Sequence, residues 1–250
     1  MSSRGLILVY HAIEEGPPPL FLAPERFRHH VETIVASGAS PLGLDQVADG
    51  LAVGELPERW VAVTFDDAYS SVPHSAAPAL AQAGIPAAVF CVAGRLGEDN
   101  RWPGQHPRVP VRPLCTAEEI AALAGAGWTV GSHGLDHARL DTADTATLER
   151  EIVESRARLE EATATPISWF AHPYGVPPTA TGRHLVEATY RGACGTTMRF
   201  ATGRSAAYAL PRVDAHYLRK PALIADALRG RRAYLGLRRA AARVGGIAAR

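Results

Sequence analysis

Apolar runs and amphipathic stretches alternate along the chain. The segment "GLILVYH" at 5–11 is apolar almost throughout, which predicts a strand covered on both faces. A helix is predicted from Pro24 to about Ser37, then the strand "WVAVTFDD", a helix through the seventies to Ala83, and the strand "AAVFCVAG". "TAEEIAALAGAG" opens with a capping box, Thr116 and Glu119, and closes on glycine before the strand "WTVGSH". Leu148, Ile152, Ser155 and Leu159 then fall at helical spacing and predict one long helix near 144–163. "SWFAHPYG", the helix "RHLVEATY", "GACGTTM" and "ALPRVDA" complete the series.

About seven β-rich runs, most followed by a helix, predict an α/β fold: a parallel barrel or a doubly wound sheet, with any site at the C-terminal ends of the strands. The segments Pro17–Pro19 and Gly94–Pro113 read as loops able to rim a cleft.

With 250 residues, 47% of them hydrophobic, the chain can bury one substantial core, so a single large domain is expected. A net charge of +1 supplies no field to recruit nucleic acid. Cys91, Cys115 and Cys194 are scattered and form no C-x-x-C pair, which argues against a disulfide framework or a cysteine zinc site. The apolar run before His11 is too short for a signal sequence or a membrane span, and a cytoplasmic protein is expected. Residues 229–250 carry seven arginines and no acid, so the organisation expected is a domain over 1–228 and a basic helical tail over 229–250. Such a tail suits peripheral contact with an anionic membrane surface.

The chemistry gathers where strands end. Asp66 and Asp67 are adjacent carboxylates that raise each other's pKa unless a cation or a proton holds them. His133 and His137, in "GSHGLDH", are spaced to put two imidazoles on one side of a turn, and two histidines with a carboxylate make a metal site with open positions. A third strand end carries Pro173, Tyr174 and Gly175.

T-F-D-D, S-H-x-x-x-H and P-Y-G together resemble the polysaccharide deacetylases with a NodB-type domain, carbohydrate esterase family four, from "LILVYHAI" to about "LPRVDA". The resemblance implies an irregular (β/α) barrel of about seven parallel strands. It also implies that Asp66 is the catalytic base and that Asp67, His133 and His137 hold a divalent metal ion, by default zinc, with cobalt, nickel, iron or manganese open. The metal's charge then tolerates the carboxylate pair. Tyr174 in "HPYG" is the backbone N–H donor expected to meet the oxyanion.

The sequence departs from that family in two places. Many members carry arginine two residues before the Pro of P-Y-G; here it is Ala171, and Arg212 in "LPRVDA" is the candidate replacement. No convincing L-x-H motif follows residue 200. His11, at the end of the first strand, resembles the permuted arrangement of poly-N-acetylglucosamine deacetylases and is preferred as general acid, with His216 the alternative. His172, Pro173 and Tyr69 are supporting or sugar-contact candidates, as are Trp102 and Trp169 by aromatic stacking; His29 and His30 read as a solvated helix face.

The activity expected is removal of an N-acetyl group from an amino sugar in an intracellular lipid-linked or nucleotide-linked intermediate. The alternatives are a non-catalytic carbohydrate-binding protein on the same fold, or a deformylase or esterase using the same site.

Overall fold

The computed structural model describes residues 3–231 and 233–244. The first strand, β1 (Arg4–Tyr10), lies in the interior of the sheet and pairs in parallel with β3 (Arg59–Phe65) over its whole length, Leu8 opposite Val63. From β3 the sheet continues, all parallel, through β4 (Ala87–Cys91), β5 (Thr129–Ser132), β6 (Trp169–Ala171) and β7 (Gly192–Cys194). The short β2 (Ser40–Pro41) adds to β3, and β8 (Ala201–Thr202) runs antiparallel to β1.

The late segment 210–214 closes the curl. Leu210 bridges Cys194 in parallel, with Leu210 N–H donating to Ala193 O and Gly195 N–H to Leu210 O, each at 2.9 Å. Two residues on, β9 (Val213–Asp214) pairs in parallel with β1, Val213 opposite Leu8. One stretch of chain therefore joins the last parallel strand to the first, and the irregular (β/α) barrel of about seven staves is the fold.

The period of two in a strand sorts side chains between the barrel interior and the helix layer. Trp60, Ala62, Ile7, Phe90, Trp169, Ala171 and Leu210 form the interior cluster, plugged by Leu44 and Val47 of α2 (Leu44–Val53). Leu6, Leu8, Tyr10, Val61, Val63 and Phe65 point the other way into the larger core beneath α1 (Pro24–Ser37) and the other helices. Gly131 sits where the interior narrows: a Cβ there would lie 2.5 Å from the Phe90 ring and 2.9 Å from Trp169 O. Gly131→Ala is expected to lower stability by about 1–3 kcal/mol by overpacking, measured in urea, whereas Gly125→Ala in α4 (Ala117–Gly125) meets nothing within 4 Å and is expected to lose nothing.

The Thr116–Glu119 capping box is present: Glu119 N–H donates to Thr116 Oγ1, and Thr116 N–H to Glu119 Oε2. The helix predicted near 144–163 is present as one unbroken helical run over 145–163, widened in its middle. Its successive parts are α5 (Thr145–Glu149), a π-helical turn over Arg150–Glu154, and α6 (Ser155–Thr163). A second π turn, Val72–Ala76, precedes α3 (Ala77–Ala83). The helix "RHLVEATY" is α7 (Ala180–Thr189). His30 is not on a solvated face: it lies on the buried face of α1, and its Nδ1 shares a 3.0 Å hydrogen bond with the Tyr10 hydroxyl.

At the C-terminus come α8 (Pro221–Leu228) and α9 (Ala233–Val244). Leu235 is buried in the main core, so the first turn of the expected tail packs on the domain. Residues 232 and 245–250 of that tail lie outside the described residues. Nothing in the packing supports the membrane contact expected of it, and among the described residues no helix is long and apolar enough to cross a membrane.

Candidate metal centre and active site

Strand parity delivers the polar groups to one end of the barrel. Trp60, Ala62, Thr64 and Asp66 share a face of β3; Ile7, Val9 and His11 share a face of β1; Gly131 leads to His133 at the end of β5. Register brings the first two sets together, because Tyr10 pairs with Phe65 and Asp66 N–H donates to Tyr10 O at 2.9 Å. On the closing segment the same alternation places Arg212 two residues beyond the inward Leu210.

Asp66 and Asp67 are both buried, and their surroundings differ. Arg212, with no exposed surface, grips Asp66 with both ends of its guanidinium: Nη1 to Oδ1 at 2.6 Å and Nη2 to Oδ2 at 2.7 Å. The guanidinium also donates to Thr64 Oγ1 and Gly195 O and lies over the Phe90 ring. Burial alone would raise the Asp66 pKa, but the charges and hydrogen bonds of Arg212, with His133, outweigh it and bring the carboxyl down to about 2. Asp66 is therefore a stable anion in a dry setting.

Asp67 has no such partner. Its backbone is in the left-handed region at φ 68°, a conformation that costs a non-glycine residue about 1–3 kcal/mol and that breaks the strand alternation. Its side chain thereby turns toward the imidazoles. Oδ1 lies 3.5 Å from His133 Nε2 and 3.6 Å from His137 Nε2, is buried, and has no hydrogen-bond partner. Burial raises its pKa, chiefly by desolvation.

The two histidines are held in place by different contacts. His133 Nδ1 is 2.8 Å from Ala171 O, which makes that nitrogen an N–H donor and turns Nε2 toward Asp67. His137, also left-handed at φ 59°, has its ring between Trp102 and Tyr174, with centroids 4.6 and 4.5 Å away. Desolvation, with the neighbouring His133, drives its pKa well below the ordinary histidine value.

Asp67, His133 and His137 thus offer three ligand atoms within 4.8 Å of one another. The set fits a divalent cation: a buried carboxylate oxygen without a hydrogen-bond donor faces two imidazole nitrogens, and these are the donor types that hold such an ion. Asp67→Ala is expected to abolish metal binding, checked by equilibrium dialysis against zinc.

The flanking residues sort themselves around this cluster. His11 is partly exposed and acts electrostatically on Asp66, Asp67, His137 and Asp214. His216 answers instead to Arg219 and Arg238 and packs by Tyr217; burial lowers its pKa to about 4. Tyr174 is left-handed at φ 59° in the turn Pro173–Gly175, whose buried Pro173 also packs near Gly134, and Gly175 N–H donates to His172 O.

Three expected sugar contacts are corrected. His172 is buried against Phe170, its Nε2 3.3 Å from Tyr208 O, because it follows the inward Ala171 and so points to the helix layer. Tyr69 has no exposed surface; its hydroxyl accepts from Asn100 Nδ2 at 3.1 Å and anchors the loop after Arg95. Trp169 is likewise core, donating to Asp45. Trp102 does reach the site, carried by that loop, but as a buried wall against His137.

Comparisons with known proteins place the chain in a family. The family model for polysaccharide deacetylases matches residues 53–193, more than half of the chain, and the chain belongs to that family. The protein YxkH of Bacillus subtilis (strain 168), named for the same family, is 24% identical over 208 residues, 83% of this chain and 70% of its own length. Among solved structures, the deacetylase PplD of Streptococcus pyogenes, in complex with acetate, superposes with a TM-score of 0.73 at 21% identity, covering 86% of this chain and 93% of that one. IcaB from Ammonifex degensii gives 0.72 at 23%, covering 89% and 97%.

Proposed function

We propose that the protein hydrolyses the N-acetyl group of an amino sugar, with a divalent ion, zinc by default, at Asp67, His133 and His137. The observation that carries this reading is the division of labour between adjacent carboxylates: Asp66 is held as an anion by Arg212, and Asp67 Oδ1 is left without a hydrogen-bond partner toward two imidazole nitrogens. A non-catalytic binder has no use for Asp66, a buried carboxylate kept ionised beside Asp67. When bound, a divalent cation polarises the acyl carbonyl and lowers the pKa of a coordinated water toward about 7.

The chain's own groups do the rest. Asp66, held as an anion by Arg212, accepts the proton of the attacking water. The backbone N–H of Tyr174 donates to the oxygen that gains charge as the carbonyl carbon becomes tetrahedral. His11 gives a proton to the sugar nitrogen as the C–N bond breaks, so that acetate and a free amine leave. The substrate class proposed is an N-acetylated sugar on a lipid-linked or nucleotide-linked intermediate inside the cell.

Product analysis tests this. Purified protein is offered N-acetylglucosamine oligomers and UDP-N-acetylglucosamine, with N-formyl and O-acetyl counterparts. The expected result is acetate and primary amine in equal amounts from at least one N-acetyl substrate, lost in His11→Ala and retained in His216→Ala. Formate or O-acetyl hydrolysis alone, or loss in His216→Ala instead, contradicts it.

A further inference from the structure

The geometry points to Glu151 as the residue that pre-shapes the metal-binding loop, although it touches neither ligand side chain. Both ligand histidines lie on one short loop, 133–137, leaving β5. Glu151 reaches that loop from the π-helical turn between α5 and α6. Its carboxylate is buried and accepts three backbone hydrogen bonds from it: Leu135 N–H to Oε2 at 3.0 Å, Asp136 N–H to Oε1 at 3.0 Å, and Ala138 N–H to Oε2 at 3.3 Å. Among the described residues Glu151 has no arginine, lysine or histidine partner.

A buried carboxylate without a cation is stable only where several amides converge on it, and here the amides flank His137 on both sides. The loop's carbonyls are engaged from the other direction, Gly134 O by Ala93 N–H at 2.9 Å and Leu135 O by Gly94 N–H at 2.8 Å. The wrap is tight. Gly134 has φ +86°, and a Cβ there would lie 2.4 Å from Glu151 Oε2. With its amides held by one carboxylate and its carbonyls by one turn, the loop has its shape before an ion arrives, and His137 keeps a left-handed backbone that its own torsional preference disfavours. The π turn matters because the widened helix gives Glu151 a register of its own within the buried series Leu148, Ile152, Ser155. Glu151 is thus a positioning residue for the metal centre proposed above, and the inference rests on that centre.

The test is zinc affinity, by competition with a chromophoric chelator, for wild type, Glu151→Gln, Glu151→Ala and Tyr190→Phe. Tyr190 donates to Ile152 O at 2.7 Å in the same helical turn, so its variant serves as a control for general loss of stability. Glu151→Gln and Glu151→Ala are expected to bind zinc roughly 10–100-fold more weakly, with a changed visible spectrum when cobalt is bound, while Tyr190→Phe melts earlier with unchanged zinc affinity. Folded Glu151→Gln with wild-type affinity overturns the inference. Wild-type protein that binds no zinc overturns the metal-centre reading instead.

Hydrogen exchange on metal-free wild type keeps the question decidable even where variants fail to fold. Protected amides at Leu135, Asp136 and Ala138 are expected; rapid exchange there, with protection appearing only on adding zinc, shows that the ion and not Glu151 shapes the loop.

Discussion

Asp66→Asn is expected to bind zinc as the wild type does and to lose turnover by about 10²–10⁴-fold, the contribution of a positioned general base. The side chain keeps its size and one acceptor oxygen but can no longer take a proton. Asp67 and the two histidines are untouched, so metal content separates this variant from Asp67→Ala. The substitution also leaves the Arg212 guanidinium buried without a counter-charge. Removing one partner of a buried pair costs about 3–5 kcal/mol, so the kinetics are to be read at a temperature where circular dichroism shows the variant folded. Full activity in folded, metal-loaded Asp66→Asn removes Asp66 from the role of base.

Arg212→Met is the converse experiment, and its pH dependence is more telling than its size. In the wild type the Asp66 carboxyl sits at about 2 when folded, below its ordinary 3.8. The unfolded chain therefore binds the proton more readily, and the pair contributes stability that is complete above the ordinary value and is lost as pH falls through about 2. Without the guanidinium, desolvation is left as the main influence, and the folded pKa moves above the unfolded one. The sign then reverses: this carboxyl favours the folded state only when protonated, and stability falls as pH rises above the ordinary carboxyl value. We expect a loss of about 3–5 kcal/mol near pH 7, shrinking toward pH 4, in urea titrations across that range, and an upward shift of the acid limb of activity. A loss under about 1 kcal/mol that does not vary with pH contradicts the account of Arg212.

The same pair shows what was legible in the sequence. Alternation along "WVAVTF" places Asp66 on the face of Trp60 and Ala62, and alternation along "GLILVYH" places His11 on the face of Ile7 and Val9; both faces turn inward. His172 was open to the same test, since it follows the inward Ala171 and must therefore face outward. Beyond Asp66 parity stops helping, because Asp67 and Ala68 are both left-handed, and the burial of Tyr69 follows from a loop that carries no period. His30 was misread because its partner, Tyr10, lies on another element. Glu151 left a trace that passed unused: a carboxylate beside Ile152 on an otherwise apolar helical stripe. What that carboxylate binds is set by a loop thirteen to sixteen residues away, a relation that helical spacing alone does not carry.

The central claim is that an ion at Asp67, His133 and His137 drives acetate release. The most direct measurement strips the protein with a chelator, returns zinc in steps, and counts bound zinc and released acetate on the same samples. The account predicts acetate release that is absent in the stripped protein, rises in proportion to bound zinc, and levels off at one ion per chain. Undiminished release from zinc-free protein, or a full ion per chain with no acetate from any N-acetylated sugar offered, contradicts it.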